Sequence, residues 1–276
     1  MPSLHAADGT ELAYHVQGDG APLVCLPGGP GRASAYLGDL GGLAARRRLV
    51  MLDMRGTGMS AAPADPASYR CDHLVEDVVS LRDHLGLDRF DLLGHSAGAN
   101  VAVQYAARHP GSLGKLALIT PSGRAVGLTV DDQTRRETLN LRRQEPWFAE
   151  AAAAFARGAE TDEDWAAIAP SFYGRWDDAA QAHWLAGETQ VSTDAANGFG
   201  AEGAFDPPAT RAGLAVLRSP VLVLAGAVDQ VWPPPVVSEL ADMFPAARYV
   251  VQPGAGHYPW LDDADWFGSA VTAFLD

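Results

Sequence analysis

Three side chains far apart in the chain have the types that nucleophilic acyl transfer needs: a hydroxyl, a carboxylate and an imidazole. Ser96 lies in LLGHSAGAN (92–100), directly after an apolar run, with Gly94 and Gly98 each two residues away. A strand that turns sharply into a helix holds its turn residue in a strained conformation with the side chain exposed. Bulk two residues before or after would collide with the neighbouring strand and helix, so glycine suits both places. The turn also sets the serine at a helix N-terminus, where backbone N–H groups stabilise negative charge. An ordinary strand–helix turn with an N-capping serine shares part of this pattern. The strand before and the small-residue helix after are the context a nucleophile requires. A serine hydroxyl is weak at its own pKa and needs a base, itself oriented by an acid. Asp229, at the end of VLVLAGAVD (221–229), and His257, in the glycine-flanked GAGHYPW (254–260), follow in that order.

Acyl transfer also needs donors for an oxyanion. LPGGPG (26–31) lets the backbone approach a substrate closely, although a Gly/Pro-rich turn has other uses. The N–H groups of Gly29 and Ala97 are the expected donors. His95 adjoins Ser96, but successive residues point in different directions, so it is not expected to serve the hydroxyl. Asp262 and Asp263 come after the histidine and are expected to start the last helix.

These residues must be positioned by a scaffold. LVCLPG (23–28), LVMLDM (49–54), FDLLGHS (90–96), KLALITPS (115–122), VLVLAGAVD (221–229) and ARYVVQPG (247–254) read as strands. Most are continuous apolar runs, as expected where both faces of a parallel sheet are covered. ELAYHVQG (11–18) adds a leading, more exposed strand. The stretches 71–87, 99–110, 234–245 and 263–275 have helical spacing. Strands alternating with helices imply an α/β protein with a mostly parallel sheet, whose ligand sites form at the carboxyl ends of the strands. The proposed serine, acid and base all fall on that edge. The alternation breaks between about Gly123 and Asp206, a segment with no clear strand, four of the seven tryptophans, and fifteen acidic residues against seven arginines.

Composition excludes some classes. The 276 residues are 47% hydrophobic and 20% charged, an ordinary globular balance. A formal net charge of −14 argues against nucleic acid as a partner. No apolar run approaches the roughly 20 residues that span a bilayer, so no membrane partner is expected. MPSLHAADGTELAY lacks a basic stretch followed by an apolar one, so the expected location is cytoplasmic. Cys25 and Cys71 show no metal or redox spacing, and neither a metal nor another cofactor is called for.

Taken together, LPGGPG, LDMRGTGMS (52–60), GHSAG (94–98), Asp229 and His257 resemble the α/β-hydrolase superfamily over the whole chain. The resemblance implies the α/β-hydrolase fold, with a core over 1–122 and 207–276. It also implies a helical cap, 123–206, inserted after the sixth strand, with Trp176 and Trp184 among aromatic residues expected to line the substrate pocket. A finer resemblance is to the prolyl aminopeptidase (proline iminopeptidase) branch, which has His-Gly-Gly-Pro-Gly where this chain has Pro27 before GGPG. Met54 stands where that branch has Gln, and Ala97 where it usually has an aromatic residue. That branch binds a free N-terminal amine through acids of its cap, which singles out Glu202, with Glu188 as a second possibility. The expected activity is therefore serine hydrolysis of a small molecule or short peptide, leaning to an aminopeptidase that releases N-terminal proline or a small apolar residue. An esterase or lactonase on a neutral metabolite is the alternative. A non-hydrolytic binding protein on the same fold would be expected to have a damaged triad, whereas all three positions are filled here; carbon–carbon bond hydrolysis or a biosynthetic cyclisation would use the same triad.

Overall fold

A computed structural model describes residues 2–276. Eight strands form one sheet: β1 (Ser3–His5), β2 (Glu11–Gln17), β3 (Pro22–Leu26), β4 (Arg48–Leu52), β5 (Phe90–His95), β6 (Leu113–Ile119), β7 (Val221–Gly226) and β8 (Ala247–Gln252). Their order across the sheet is β1-β2-β4-β3-β5-β6-β7-β8. Only the β1–β2 and β2–β4 pairings are antiparallel; every other neighbour is parallel. The expected α/β class and mostly parallel sheet are therefore present, with β1 as an additional short edge strand.

The continuous apolar runs follow from burial on both faces. Val24 and Leu26 of β3, with Val221, Val223 and Ala225 of β7, enter one core cluster. Leu23 and Cys25, with Leu222 and Leu224, point the other way into a second. Period-two alternation thus splits each strand between two apolar layers. The first layer is closed by α1 (Cys71–His84), which buries Leu74, Val78 and Leu81, and by α2 (Gly98–Arg108). The second is closed largely by the chain's final helix, Ala264–Leu275, through Phe267, Val271 and Leu275.

Between β6 and β7 no strand occurs among the described residues. The chain instead forms α3 (Asp132–Asn140), α4 (Phe148–Arg157), α5 (Asp162–Ile168), α6 (Asp178–Gln190) and α7 (Thr193–Phe199), and α8 (Pro207–Leu214) returns it to the sheet. Side-chain caps set several of these starts: Asp131 for α3, Thr161 for α5, Asp177 for α6 and Asp206 for α8. These helices lie against loops at the carboxyl ends of the strands. The Gln190 carbonyl accepts from the Ala33 N–H at 2.9 Å, and that of Phe172 accepts from the His257 N–H at 2.7 Å.

Register brings the site loops together. Leu26 pairs with Gly94, His95 with Ile119, Ile119 with Leu224, and Gly226 with Gln252. The loops after β3, β5, β7 and β8 consequently leave one edge of the sheet side by side.

Candidate active site

The turn after β5 holds Ser96 at φ 50°, in the left-handed region. Such a conformation is costly for a residue with a Cβ and persists where its surroundings over-determine it. Here the Ser96 N–H donates to the Ile119 carbonyl, and the Ser96 carbonyl accepts from the N–H groups of Ala99 and Ser122, all at 3.1 Å. A Cβ on Gly94 would stand 2.8 Å from Ala99 Cα. One on Gly98 would stand 2.5 Å from the Leu26 carbonyl oxygen and closer still to that of Pro27. Both neighbours are backbone and cannot swing aside. Gly98→Ala is therefore expected to destabilise the fold by roughly 1–3 kcal/mol from overpacking, outweighing any helix-propensity gain of about 1 kcal/mol. Urea denaturation checks this, and an unchanged or raised midpoint would contradict it.

The three sequence-predicted groups meet. His257 Nε2 lies 2.8 Å from Ser96 Oγ, and His257 Nδ1 lies 2.8 Å from Asp229 Oδ2. An ionised carboxylate only accepts, so the Nδ1 proton belongs to the bond with Asp229 and the Nε2 lone pair faces the serine hydroxyl. The other carboxylate oxygen, Asp229 Oδ1, accepts from the N–H of Val231 at 2.8 Å and of Trp232 at 3.4 Å. Asp229 is fully buried, while Ser96 and His257 keep a little exposure.

The glycine loop after β3 divides its donors. The Gly28 N–H is taken by Tyr36 Oη at 2.6 Å. The N–H groups of Gly29 and Ala97 donate to no backbone carbonyl among the described residues, and both residues line the cleft that holds Ser96. The expected oxyanion donors are thus unspent and beside the hydroxyl.

His95, not expected to serve the serine hydroxyl, instead holds the backbone of His257. Its Nε2 lies 2.9 Å from the His257 carbonyl, which can only accept, so Nε2 carries the proton. Nδ1 then accepts from Tyr36 Oη at 2.6 Å. Burial holds this imidazole well below the usual histidine range, so it stays neutral. One line of bonds therefore joins the Gly28 N–H, Tyr36, His95 and the backbone of His257. Adjacency to Ser96 was the only signal in the sequence, and it says nothing of this path.

Asp262 also departs from expectation. Asp263 starts the last helix, its side chain accepting from the Trp266 N–H. Asp262 turns back, accepting from the N–H of Gly256 at 2.7 Å and of Gly174 at 2.8 Å. It ties the His257 loop to the inserted segment, and burial pushes its carboxyl up to about 6 despite these donors.

The remaining expected substrate contacts are not brought to the serine. Glu202 is exposed in the turn after α7, and Glu188 is exposed on α6; neither lines the cleft. Trp184 packs on Phe172 at 5.5 Å between centroids, and Phe172 rather than Trp184 approaches the His257 ring, at 6.4 Å. Trp176 packs on Tyr173 at 5.4 Å. Neither tryptophan lines the cleft that holds Ser96. The cleft, about 320 Å³, is lined instead by Phe199, Trp232, Leu128 and Val130, with Arg124 and Arg135. Trp232 sits three residues past Asp229, a proximity visible in the sequence; the two arginines carried no positional signal.

Comparison with known proteins agrees with the architecture. The family model described as alpha/beta hydrolase fold matches residues 21–264. A proline iminopeptidase of Clostridium botulinum is 34% identical over 137 residues, 49% of this chain and 47% of that protein, so that match spans about half the relative. A proline iminopeptidase of Heyndrickxia coagulans is 26% identical over 95% of this chain and 93% of its own length. The solved structure of the enol-lactonase from Burkholderia xenovorans LB400 superposes with a TM-score of 0.70 at 26% identity, covering 99% of both chains.

Proposed function

The chain belongs to the α/β-hydrolase fold family, and from that premise we propose that it is a serine hydrolase working through an acyl-enzyme on a small ester or lactone. The observation that carries this reading is the chain of two 2.8 Å bonds from Ser96 through His257 to buried Asp229. Ser96 Oγ attacks the substrate carbonyl as His257 Nε2 takes its proton. The N–H groups of Gly29 and Ala97 hold the resulting oxyanion. Collapse breaks the bond to the leaving alkoxide, which receives the proton from His257. Water, deprotonated by the same nitrogen, then attacks the acyl carbon and regenerates the serine hydroxyl. Asp229 stabilises the imidazolium that forms in each half. The helices of 123–206 act as a cap that narrows access to the serine.

An aminopeptidase is the second reading, favoured by the end-to-end match to a proline iminopeptidase. The lining of the cleft favours the ester side. A free N-terminal amine is protonated and is best met by a carboxylate, and no acidic side chain lines the cleft among the described residues. The test compares a proline arylamide, its N-acetylated form and a short-chain aryl ester, with Ser96→Ala as the blank. Ester turnover well above that of the free-amine arylamide is the expected result. Rapid cleavage of the free-amine arylamide alone would overturn the ester reading and restore the aminopeptidase.

A further inference from the structure

We infer that the substrate carries a carboxylate, held by Arg135 and Arg124 while its apolar part lies on Phe199, Leu128 and Trp232. The inference rests on the serine-hydrolase reading of Ser96 and deepens it by naming the substrate class. In a chain of net charge −14, with fifteen acids in the inserted segment alone, the only charged side chains lining the reactive cleft are these two arginines among the described residues.

Neither cation is neutralised. Among the described residues, no carboxylate lies within 4.0 Å of either guanidinium, although seven other arginines have such a partner. Arg135, half-buried on α3, is oriented through one nitrogen: Nη1 donates to the Gln230 side-chain oxygen at 3.2 Å and more weakly to its carbonyl at 3.4 Å. Gln230 is 1% exposed, adjoins Asp229, and is itself anchored to Ser171 Oγ at 3.3 Å. The guanidinium is thus fixed relative to the acid–base pair, with the rest of its donor fork unspent. Arg124, exposed at the mouth, lies over the Phe205 ring at 5.6 Å and makes no side-chain hydrogen bond to the described protein. A planar fork of this kind suits a carboxylate in two-point contact, and apolar walls strengthen its field. The same arrangement repels an ammonium, which separates this substrate class from peptides with a free N-terminus.

The test uses two matched pairs of esters, because the carboxylate can sit on either side of the scissile bond. 4-Nitrophenyl butyrate is compared with 4-nitrophenyl hemiglutarate, and phenyl acetate with 4-acetoxybenzoate. In at least one pair the wild type is expected to favour the anionic member in kcat/KM by roughly 10–100-fold, the range of charge-assisted hydrogen bonds, with the ratio falling as salt is added. Combining Arg124→Gln with Arg135→Gln is expected to remove that ratio, chiefly through KM, while Arg136→Gln, an exposed change on the same helix outside the cleft, keeps it. Independently of ester turnover, millimolar glutarate is expected to slow fluorophosphonate labelling of wild-type Ser96 but not of the double variant. Neutral esters preferred in both pairs, a ratio surviving in the double variant, or glutarate failing to protect would each overturn the proposal. Failure of the underlying serine-hydrolase reading looks different: ester turnover would survive Ser96→Ala.

Discussion

Ser96→Ala is expected to lower kcat on the ester substrate by about 10⁴–10⁶-fold while the protein stays folded. The size follows from what the hydroxyl does. Without Oγ no acyl-enzyme can form, and the unspent N–H groups of Gly29 and Ala97 are left to assist direct attack by water. That residual assistance is why the expected loss is finite. The fold should tolerate the change. Alanine keeps the Cβ already accommodated at φ 50°, and the three backbone bonds around Ser96 do not involve its side chain. The one bond lost is that to His257 Nε2, at an open cleft where water can replace it. Steady-state turnover, loss of the fluorophosphonate adduct by mass, and an unfolding midpoint close to wild type form the check. Activity above a tenth of wild type would exclude Ser96 as nucleophile and turn attention to Ser122, the other serine hydroxyl lining that cleft.

Much of this site could be read from sequence because it is built from local rules. Gly94 and Gly98 exist to clear backbone, and the bulk they exclude is a neighbour's Cα on one side and carbonyls of the adjoining loop on the other. The strands around them are apolar on both faces, so their existence and parallel pairing follow from the continuous apolar runs and their alternation with helical stretches. What escaped depends on packing across the molecule. Glu202 was one acid among fifteen in its segment, and nothing in a sequence says which face of a folded helical insertion meets a cleft. It lies exposed, while Arg124 and Arg135, from the start of the same segment, line the cleft that holds the serine. Trp176 and Trp184 had the right chemistry for a pocket wall but pack on Tyr173 and Phe172 outside the cleft. The path from Gly28 through Tyr36 and His95 to His257 joins four loops and strands, and only tertiary contact reveals it.

The second large effect is expected from Asp229→Asn, which should lower kcat by about 10⁴-fold with little change in the positions of the other groups. The carboxylate serves two kinds of donor at once. Oδ1 accepts from the Val231 and Trp232 N–H groups, and Oδ2 accepts from His257 Nδ1. An asparagine amide has one acceptor oxygen and one donor nitrogen, so it cannot satisfy both sides. If the oxygen faces Nδ1, the NH₂ group confronts the Val231 N–H, two donors at 2.8 Å in a site with no exposure. Turning the amide over restores the backbone bonds but presents a donor to Nδ1. The imidazole then shifts its proton to Nε2, and the nitrogen facing Ser96 can no longer accept the serine proton. The second arrangement costs less, because an unmet buried donor is worth roughly 1–3 kcal/mol whereas a tautomer change leaves every group paired. The enzyme should therefore fold nearly normally and hold the wrong tautomer. Turnover measured beside the unfolding midpoint distinguishes this from simple loss of structure. A loss smaller than tenfold would mean that Asp229 does not set the tautomer, and that the neighbouring brace from His95 and Thr120 to the His257 carbonyl suffices to orient the base.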